Sequence, residues 1–310
     1  MYTKAEYVTM LFVVGMVAIA EYFQVKEIIF PEIAALAFGA WVMEERPWHG
    51  PAWTIWFSPT LGAVTGILIV RLAPHSLPAM VGLAFLFILI ELKLFRSAMS
   101  PSFSAAILPV ITGITSWVYP ASVCVTAAIV AGAAHYREKN RTDAAMTKKP
   151  RTKHATVQAE VTHYGKLFLF VMLVAVFSVK SGWIFVMSPP LIVAFVELAE
   201  PGGILRTKSI PRLLLLFTLT ALAGMFWVVV VTRTFSGPLW AAAGLAVASA
   251  FLLARVLGVG TPPAFALALL PTILPHKMLP LYPVHVLIGS FLFIVFTHLG
   301  FKPSPSTERE

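Results

Sequence analysis

The sequence predicts an all-α polytopic membrane protein built from two tandem repeats of about six apolar segments each. Its composition predicts the membrane class, because 58% of the 310 residues are hydrophobic and only 12% are charged, whereas soluble domains are about 45–50% apolar and about 25% charged. A duplicated segment predicts the repeats: Met99–Pro109, MSPSFSAAILP, recurs as Gly260–Pro271, GTPPAFALALLP. Each copy has proline near its start, continues through apolar residues and closes with a further proline.

Two further pairs of landmarks keep nearly the same spacing. The segment Ser116–Pro120, SWVYP, matches Leu279–Pro283, LPLYP, 163 residues later, and Phe30–Glu32 matches Ser188–Pro190, 158 residues later. A spacing that is kept this closely along the chain indicates a tandem duplication. The predicted domains are a first membrane repeat, 1–135, a basic linker, 136–165, a second membrane repeat, 166–300, and a polar tail, 301–310.

Each repeat is predicted to hold six apolar segments, including short proline-broken half-helices. The segment 30–43 is short for a hydrocarbon core of about 30 Å, so it either crosses steeply or re-enters. A single helix over residues 100–135 would be about 54 Å long, so its prolines predict a break, which we expect at Pro120. In chain order the segments are 7–22, 30–43, 53–71, 77–95, 99–118 and 119–135, then 166–179, 189–198, 213–231, 239–253, 260–278 and 281–299.

The net charge of +9 is concentrated between the two repeats, where eight of the 23 basic residues lie. This pattern is typical of a cytoplasmic loop under the positive-inside rule, and we expect no nucleic-acid partner. The remaining basic residues favour an even number of crossings per repeat, with both termini in the cytoplasm. We therefore expect a multi-pass protein of the inner (plasma) membrane whose partner is the lipid bilayer. The eight residues are Arg137, Lys139, Arg141, Lys148, Lys149, Arg151, Lys153 and Lys166.

Motifs of common catalytic sites are absent from the sequence, which has no P-loop, HExxH, CxxC or GxSxG pattern. Its one aspartate, Asp143, lies in the linker. Four histidines of the membrane repeats lack the i, i+3 or i+4 pairing of a helical metal site: His49, His75, His276 and His285. We expect no enzyme activity, no cofactor and no metal site.

The second copy of the duplicated segment opens with Thr261-Pro262-Pro263-Ala264, closes at Pro271 and is followed by Tyr282-Pro283. This pattern resembles the signature of the HPP family of integral membrane proteins. The histidine that names the family motif is Thr261 here, and the first copy reads Ser100-Pro101-Ser102. The resemblance implies two fused units, each of about four helices plus short motif segments, and a link to nitrite transport.

Short, proline-interrupted segments at matching positions of two repeats are the sequence feature that best indicates a transporter's substrate site. Proline is tolerated in the first turn of a helix, and a helix start offers free N–H groups and partial positive charge to an anion. Four such starts near a pseudo-two-fold axis would form one central site or two equivalent ones; otherwise the prolines only set breaks in a scaffold. The candidate residues are Pro31, Ser100, Pro101, Ser102, Pro189, Pro190, Thr261, Pro262 and Pro263.

Three ionisable residues complete the candidate substrate site. Glu32 directly follows the first of these prolines, and a carboxylate there leaves room for proton or cation coupling. His276 and Lys277 lie between two prolines: if buried they would attract an anion, and if in a loop they would be solvated. Glu91 and Glu197 are the other carboxylates within apolar runs.

These observations predict a membrane transporter or channel for a small solute, with a small inorganic anion such as nitrite as the candidate. Binding is expected at the proline-broken helices between the repeats. The alternative is a non-transporting integral membrane component of a multi-subunit assembly. A polar cavity converging on the proline starts would favour transport, whereas a packed apolar centre with an exposed flat face would favour assembly. Whether the protein forms a homo-oligomer is left open.

Overall fold

The computed structural model describes residues 2–48, 50–51, 53–73, 76–139, 157–200 and 203–301. Within these ranges the chain forms twelve α-helices and no β-strand, and eight helices have the length and hydropathy of membrane spans. The predicted all-α polytopic membrane fold is confirmed. The helices are α1 (Lys4–Phe23), α2 (Glu32–Ala37, extended by the π-helical turn Phe38–Val42), α3 (Thr54–Leu72), α4 (Leu77–Leu94), α5 (Pro101–Thr112), α6 (Val118–Lys139), α7 (Val157–Ser181), α8 (Pro189–Ala199), α9 (Ile210–Val229, extended by the π-helical turn Val230–Thr234), α10 (Leu239–Leu257), α11 (Pro262–Leu269, extended by the 3₁₀ turn Leu270–Thr272) and α12 (Tyr282–Gly300).

The two halves of the chain follow the same order of long and short helices. In α1–α6 and again in α7–α12, the second and fifth helices are short and the other four are long enough to span a bilayer. This order matches the twelve apolar segments expected from the sequence. Several expectations fall on residues outside the described ranges: His49, His75, the linker residues 140–156 and the tail from 302 onward.

The breaks after α5 and α11 differ from the predicted ones. Helix α5 ends at Thr112, because Gly113 adopts the left-handed conformation that closes a helix. Pro120, the expected break point, instead lies in the first turn of α6, where its missing N–H costs no helical hydrogen bond. Helix α11 and its 3₁₀ turn likewise end at Thr272, six residues before the predicted end at Met278.

We call the end of the bundle at which α6 ends and α7 begins the linker face. Both described termini of the chain lie there: residues 3–5 line a surface groove together with Arg137 near the end of α6, and Phe301 accepts a hydrogen bond from Arg206. Basic side chains on this face bind carbonyl oxygens at helix ends, as Lys166 does at Gly300 over 3.0 Å. The even number of crossings in each half, which the charge pattern favoured, agrees with these contacts.

The opposite face is defined by the other ends of the same helices. The carboxylate of Glu21, near the end of α1, accepts the backbone N–H of Leu239 at the start of α10 over 2.9 Å. Near the end of α3, Arg71 donates a 2.8 Å hydrogen bond to the carbonyl oxygen of Thr115, just after α5. Each of these contacts joins the end of a helix that arrives at this face to the start of a helix that leaves it, or to the segment just before that start.

The short helices join the two faces rather than turning back. Just before α2, the carbonyl oxygen of Ile28 accepts a hydrogen bond from Ser122 in the first turns of α6. At the end of the π-helical turn that extends α2, the carbonyl oxygen of Trp41 accepts a hydrogen bond from Arg137, near the end of α6. Ser122 and Arg137 are about 22 Å apart along α6, at a rise of 1.5 Å per residue. The buried residues next to α2 supply the rest of the distance across the bundle. Phe30, just before α2, is one of them, and its N–H points at the sulfur of Met16 in the buried interior.

Close helix contact around the short helices depends on glycine. A methyl group added at Gly66 of α3 would overlap the carbonyl oxygen of Ala106 in α5, and one at Gly224 of α9 would overlap that of Ala268 in α11. Gly66 belongs to the LGAVTG motif, whose small residues permit helices to approach closely. The backbones of the third and fifth helices of each half are therefore in direct contact.

The four short helices form the centre of the molecule and pair across the two halves. Helix α5 packs on α8, and α2 packs on α11. At the second of these contacts the rings of Phe38 and Phe265 stack with centroids 4.1 Å apart. Every residue of α11 is buried, from Pro262 to Leu269. The centre is thus a packed four-helix core surrounded by eight longer helices.

Candidate functional site

Most of the residues predicted to bind a solute lie in this central core. Neither His276 nor Lys277 does so, because both are exposed in the loop after α11 on the opposite face. Of the two arrangements left open for them, the structure shows the solvated loop. The buried candidates are Pro31, Glu32, Ser100, Pro101, Ser102, Pro189, Pro190, Thr261, Pro262 and Pro263.

The four proline starts do not meet at one point. The start of α5 faces the end of α8, because Ser100 is hydrogen-bonded to Glu197. The start of α11 faces the end of α2, where Gly260 packs against the ring of Phe38. Helices that run in opposite directions cannot present their N–H ends to one ligand, so the four helix starts do not form one central site, which was one of the two arrangements that the sequence left open. The structure instead has two pairs, each made of a helix start and a helix end.

A hydrogen-bonded group of three side chains closes the core near the linker face. The hydroxyl of Ser100 donates to Oε1 of Glu197 over 2.6 Å. The indole nitrogen of Trp48 lies 3.0 Å from Oγ of Ser100 and 3.0 Å from Oε1 of Glu197. Trp48 comes from the loop between α2 and α3, and its ring lies where a side chain at position 39 would be, which only glycine permits. Three segments distant in sequence thus meet at one partly buried carboxylate.

A second carboxylate lies deeper, at the start of α2. Glu32 is 1% exposed, and its Oε1 accepts a hydrogen bond from Ser104 of α5. Its other oxygen, Oε2, has no hydrogen-bond partner. The hydroxyls of Tyr119 and Tyr282, at the starts of α6 and α12, lie within electrostatic range and donate to backbone carbonyls.

Helix α5 connects the two carboxylates. Ser100 and Ser104 are four residues apart, so they lie on one face of the helix about 6 Å apart along its axis. Ser102, the remaining predicted serine of this segment, is buried and its hydroxyl has no hydrogen-bond partner. The site predicted from the sequence included Ser100, Ser102 and Glu32 but did not include Ser104, Glu197 or Trp48.

The site has no equivalent in the second half of the chain. At the spacings of 158 and 162 residues noted in the sequence, Pro190 corresponds to Glu32 and Ala266 corresponds to Ser104. Neither residue can bind or release a proton through its side chain. The sequence left one central site or two equivalent ones open, and the pair of Ser104 and Glu32 is not repeated at these positions of the second half.

Cavities lie at both ends of the short helices. On the opposite face, a cavity of about 200 Å³ lies between the segments before α2 and α8 and the segments after α5 and α11, with Lys26, Glu27 and Thr112 among its lining residues. On the linker face, a smaller cavity of about 30 Å³ is lined by Glu197 and Thr261. The hydroxyl of Thr261 is buried without a partner. The carboxylate of Glu197 therefore borders a space at the linker face.

Another buried carboxylate lies outside this core. Glu91 of α4 is 6% exposed and neighbours Ser58 of α3. Glu91 lies where α4 packs against α3, away from α2 and α8.

Metal binding has no support in the described part of the chain, which contains no group of three or more His, Cys, Asp or Glu side chains. The arrangement can hold and exchange protons, because each carboxylate is paired with a hydroxyl that both donates and accepts. No family model, curated protein or solved structure matches this chain.

Proposed function

We propose that the protein is a membrane transporter for a small solute, with its site among the four short helices. The observation that carries the proposal is a pair of carboxylates, the buried Glu32 and the partly buried Glu197, held against Ser104 and Ser100. An ionisable group inside a membrane protein is costly and typically marks a path for a solute, an ion or a proton. The cavities at both ends of the short helices support a route from each face.

A small inorganic anion such as nitrite is the solute class that the resemblance to the HPP family implies, and the relation to that family is itself part of this proposal. Two ionised carboxylates would repel an anion by like charge. An anion would therefore pass when Glu32 and Glu197 are neutral. The buried hydroxyls of Thr261 and Ser102 are available to bind its oxygens.

The proposal includes a duplicated six-helix unit in the plasma membrane, with the linker face in the cytoplasm. The matching order of helices supports the duplication. Arg137, Lys166 and Arg206 lie on the linker face, which supports its cytoplasmic location under the positive-inside rule.

Solute flux into liposomes containing the purified protein tests this function. Nitrite, nitrate, formate and chloride are each measured with and without a proton gradient. We expect protein-dependent flux of at least one solute, loss of that flux in Pro101→Ala/Pro263→Ala, and normal flux in Glu160→Gln, whose carboxylate pairs with Lys93 at the surface. In Glu32→Gln/Glu197→Gln, whose side chains stay neutral, the flux should persist but no longer respond to the proton gradient. Absence of flux for every solute, with protein that is monodisperse and folded, would contradict the proposal.

The second candidate function is a non-transporting component of a membrane assembly. The packed centre favours it, because every residue from Pro262 to Thr272 is buried and the short helices are in direct contact. Chemical cross-linking in native membranes followed by purification of the intact chain tests this function. A stoichiometric partner, together with absent flux, would support it.

A further inference from the structure

The two carboxylates, Glu32 and Glu197, also indicate which ion would drive the transport proposed above, and the inference rests on that function. We infer that the coupling ion is a proton. Glu32 binds it within the core, and Glu197 exchanges it with water at the linker face. Trp48 covers Glu197 on that side.

Among the described residues, no positively charged side chain pairs with Glu32. The two short helices packed against α2 carry no titratable side chain: α5 reads PSFSAAILPVIT and α11 reads PPAFALAL. Helix α6 contributes Tyr119, and Tyr282 of α12 faces the same carboxylate. On α1, Glu6 binds Arg255, and Glu21 binds the N–H groups at the start of α10. A bound proton would make the Glu32 side chain neutral, which a core without cations requires.

The donor set around Glu32 fits a proton better than a metal cation. Hard cations take about six oxygen ligands, whereas the Glu32 side chain has one hydrogen-bonding side-chain partner, Ser104. A protonated carboxyl, in contrast, needs only one acceptor for its hydrogen.

Glu197 is placed to exchange protons with the linker face. Its Oε1 receives hydrogen bonds from Ser100 and Trp48, while the carboxylate borders the cavity of about 30 Å³. One water molecule needs only about 10–15 Å³ of such volume. Water at the linker face can therefore reach Glu197 without entering the deeper core.

Charged groups on the elements packed around α8 are already engaged. Arg206, in the turn before α9, binds the carbonyl of Phe301, and His163 of α7 lies 3.8 Å from Glu200. On α12, the ring of His285 stacks on Trp183 at the opposite face, and His298 lies beside the groove next to Arg206. The residues that precede α5 and α11, Ser100 and Thr261, add hydroxyl groups and no charge. No charge partner competes with the proton for Glu197 among these groups.

The step between the carboxylates is a proton relay and changes no oxidation state. Ser104 accepts the proton of Glu32 and releases its own hydroxyl proton toward Ser100, which passes one to Glu197. The two hydroxyls are about 6 Å apart along α5, a gap that one water molecule can bridge by two hydrogen bonds. Each carboxyl group alternates between its neutral and its ionised form.

Proton binding at Glu32 can be measured without any solute. Dicyclohexylcarbodiimide reacts with protonated carboxyl groups in apolar surroundings, and mass spectrometry of the full chain in phospholipid vesicles locates the adduct. We expect Glu32 to be modified increasingly as the pH falls, loss of that adduct in Glu32→Gln, and unchanged Glu32 labelling in Glu160→Gln. An unmodified Glu32 at every pH, in folded protein whose Glu197 or Glu91 is labelled, would overturn the inference.

Coupling is measured with whichever of nitrite, nitrate, formate or chloride the protein moves. An inward proton gradient should stimulate uptake, with acidification of the vesicle interior reported by trapped pyranine. Ser104→Ala should lower gradient-driven uptake about tenfold, the effect of losing one charge-assisted hydrogen bond. Ser178→Ala, at a buried serine of α7 without a partner, should leave it unchanged.

The outcomes separate the two proposals. Solute flux that ignores the proton gradient would overturn proton coupling and leave the transport function standing. No flux of any solute, with Glu32 still modified in a pH-dependent way, would overturn the transport function and with it the coupling. Trp48→Phe should raise the rate at which Glu197 is labelled from the linker face, and an unchanged rate would contradict its role as a cover.

Discussion

The hydroxyl of Tyr119 donates a 2.9 Å hydrogen bond to the carbonyl oxygen of Ala105, four residues before Pro109. In a regular helix that carbonyl would accept the N–H of residue 109, which proline lacks. Tyr119 therefore supplies the missing donor, and α5 continues through Pro109 to Thr112. The proline and the tyrosine, ten residues apart, act as one structural unit.

The same unit occurs in the second half of the chain. Tyr282 donates a 2.9 Å hydrogen bond to the carbonyl oxygen of Leu267, four residues before Pro271. This relationship gives a physical reason for the two features that recur in the sequence, the closing proline and the Tyr-Pro pair. Each tyrosine ties the start of a long helix to a short helix of the core.

Replacement of Tyr119 by phenylalanine should destabilise the protein by about 1–3 kcal/mol, because the buried Ala105 carbonyl loses its donor. Pro109→Ala in the same chain should restore much of this loss, since alanine returns the backbone N–H. Thermal unfolding of the purified protein in detergent, followed by tryptophan fluorescence, measures both effects. Tyr136→Phe is the matched control, because Tyr136 is 70% exposed on the same helix. A double variant no more stable than Tyr119→Phe would contradict the explanation.

Loss of the indole N–H at Trp48 should weaken the linker-face end of the core. Trp48→Phe keeps a ring near Gly39 but removes the donor to Glu197 and Ser100, so we expect a loss of about 1.5–3 kcal/mol, typical of a hydrogen bond to a charged group. Trp227→Phe removes a 2.9 Å bond to the neutral hydroxyl of Ser249 and should cost less, about 0.5–1.5 kcal/mol. Equal losses of unfolding free energy for the two variants would contradict a charged Glu197 partner.

Gly224 should be irreplaceable, because it lies where α9 touches α11. A methyl group at Gly224 would overlap the Ala268 carbonyl, which belongs to rigid backbone, so Gly224→Ala should cost about 1–3 kcal/mol by overpacking. Gly132→Ala, in the exposed face of α6 with no atom within 4 Å of the added methyl, should be neutral or stabilise by up to about 1 kcal/mol. Thermal unfolding of the two variants side by side is the measurement. A stable Gly224→Ala would show that α9 and α11 can separate.

The number and approximate bounds of the helices were predictable because the signals are local. Apolar runs predicted all twelve segments, and prolines in the first turn predicted the starts of α5, α8 and α11. The break after α5 was predicted wrongly because residues 114–118, ITSWV, remain largely apolar, and because Pro109 is accommodated by a tyrosine outside its helix. Local hydropathy does not predict a contact between two different helices.

The candidate site was only partly predictable, for the same reason. Glu32 stood out as a carboxylate at a proline start, and Ser100 as a hydroxyl at another. The importance of Glu197 depends on a partner 97 residues away, and that of Trp48 on one 149 residues away. One available signal was the spacing of Ser100 and Ser104, which places both hydroxyls on one face of a predicted helix.

The crossing of the short helices gives a topology that cysteine labelling can test. In a Cys124→Ala background, single cysteines replace Lys26, Gln158, Ser209 or His276, all of which are exposed. Membrane-impermeant maleimide should label positions 158 and 209 from the linker face and positions 26 and 276 from the opposite face. Inverted and right-side-out vesicles provide the two directions of access.

Position 209 decides between crossing and re-entry, because it follows α7 and the short helix α8. If α8 crosses, Ser209→Cys lies on the same side as Gln158→Cys; if α8 turned back, it would lie on the side of His276→Cys. The hydrogen bond from Arg206 to Phe301 holds the segment before α9 beside the end of α12, so we expect labelling from the linker face. Labelling of position 209 only from the opposite face would leave α8 as a re-entrant segment, and Glu197 could then not exchange protons at the linker face.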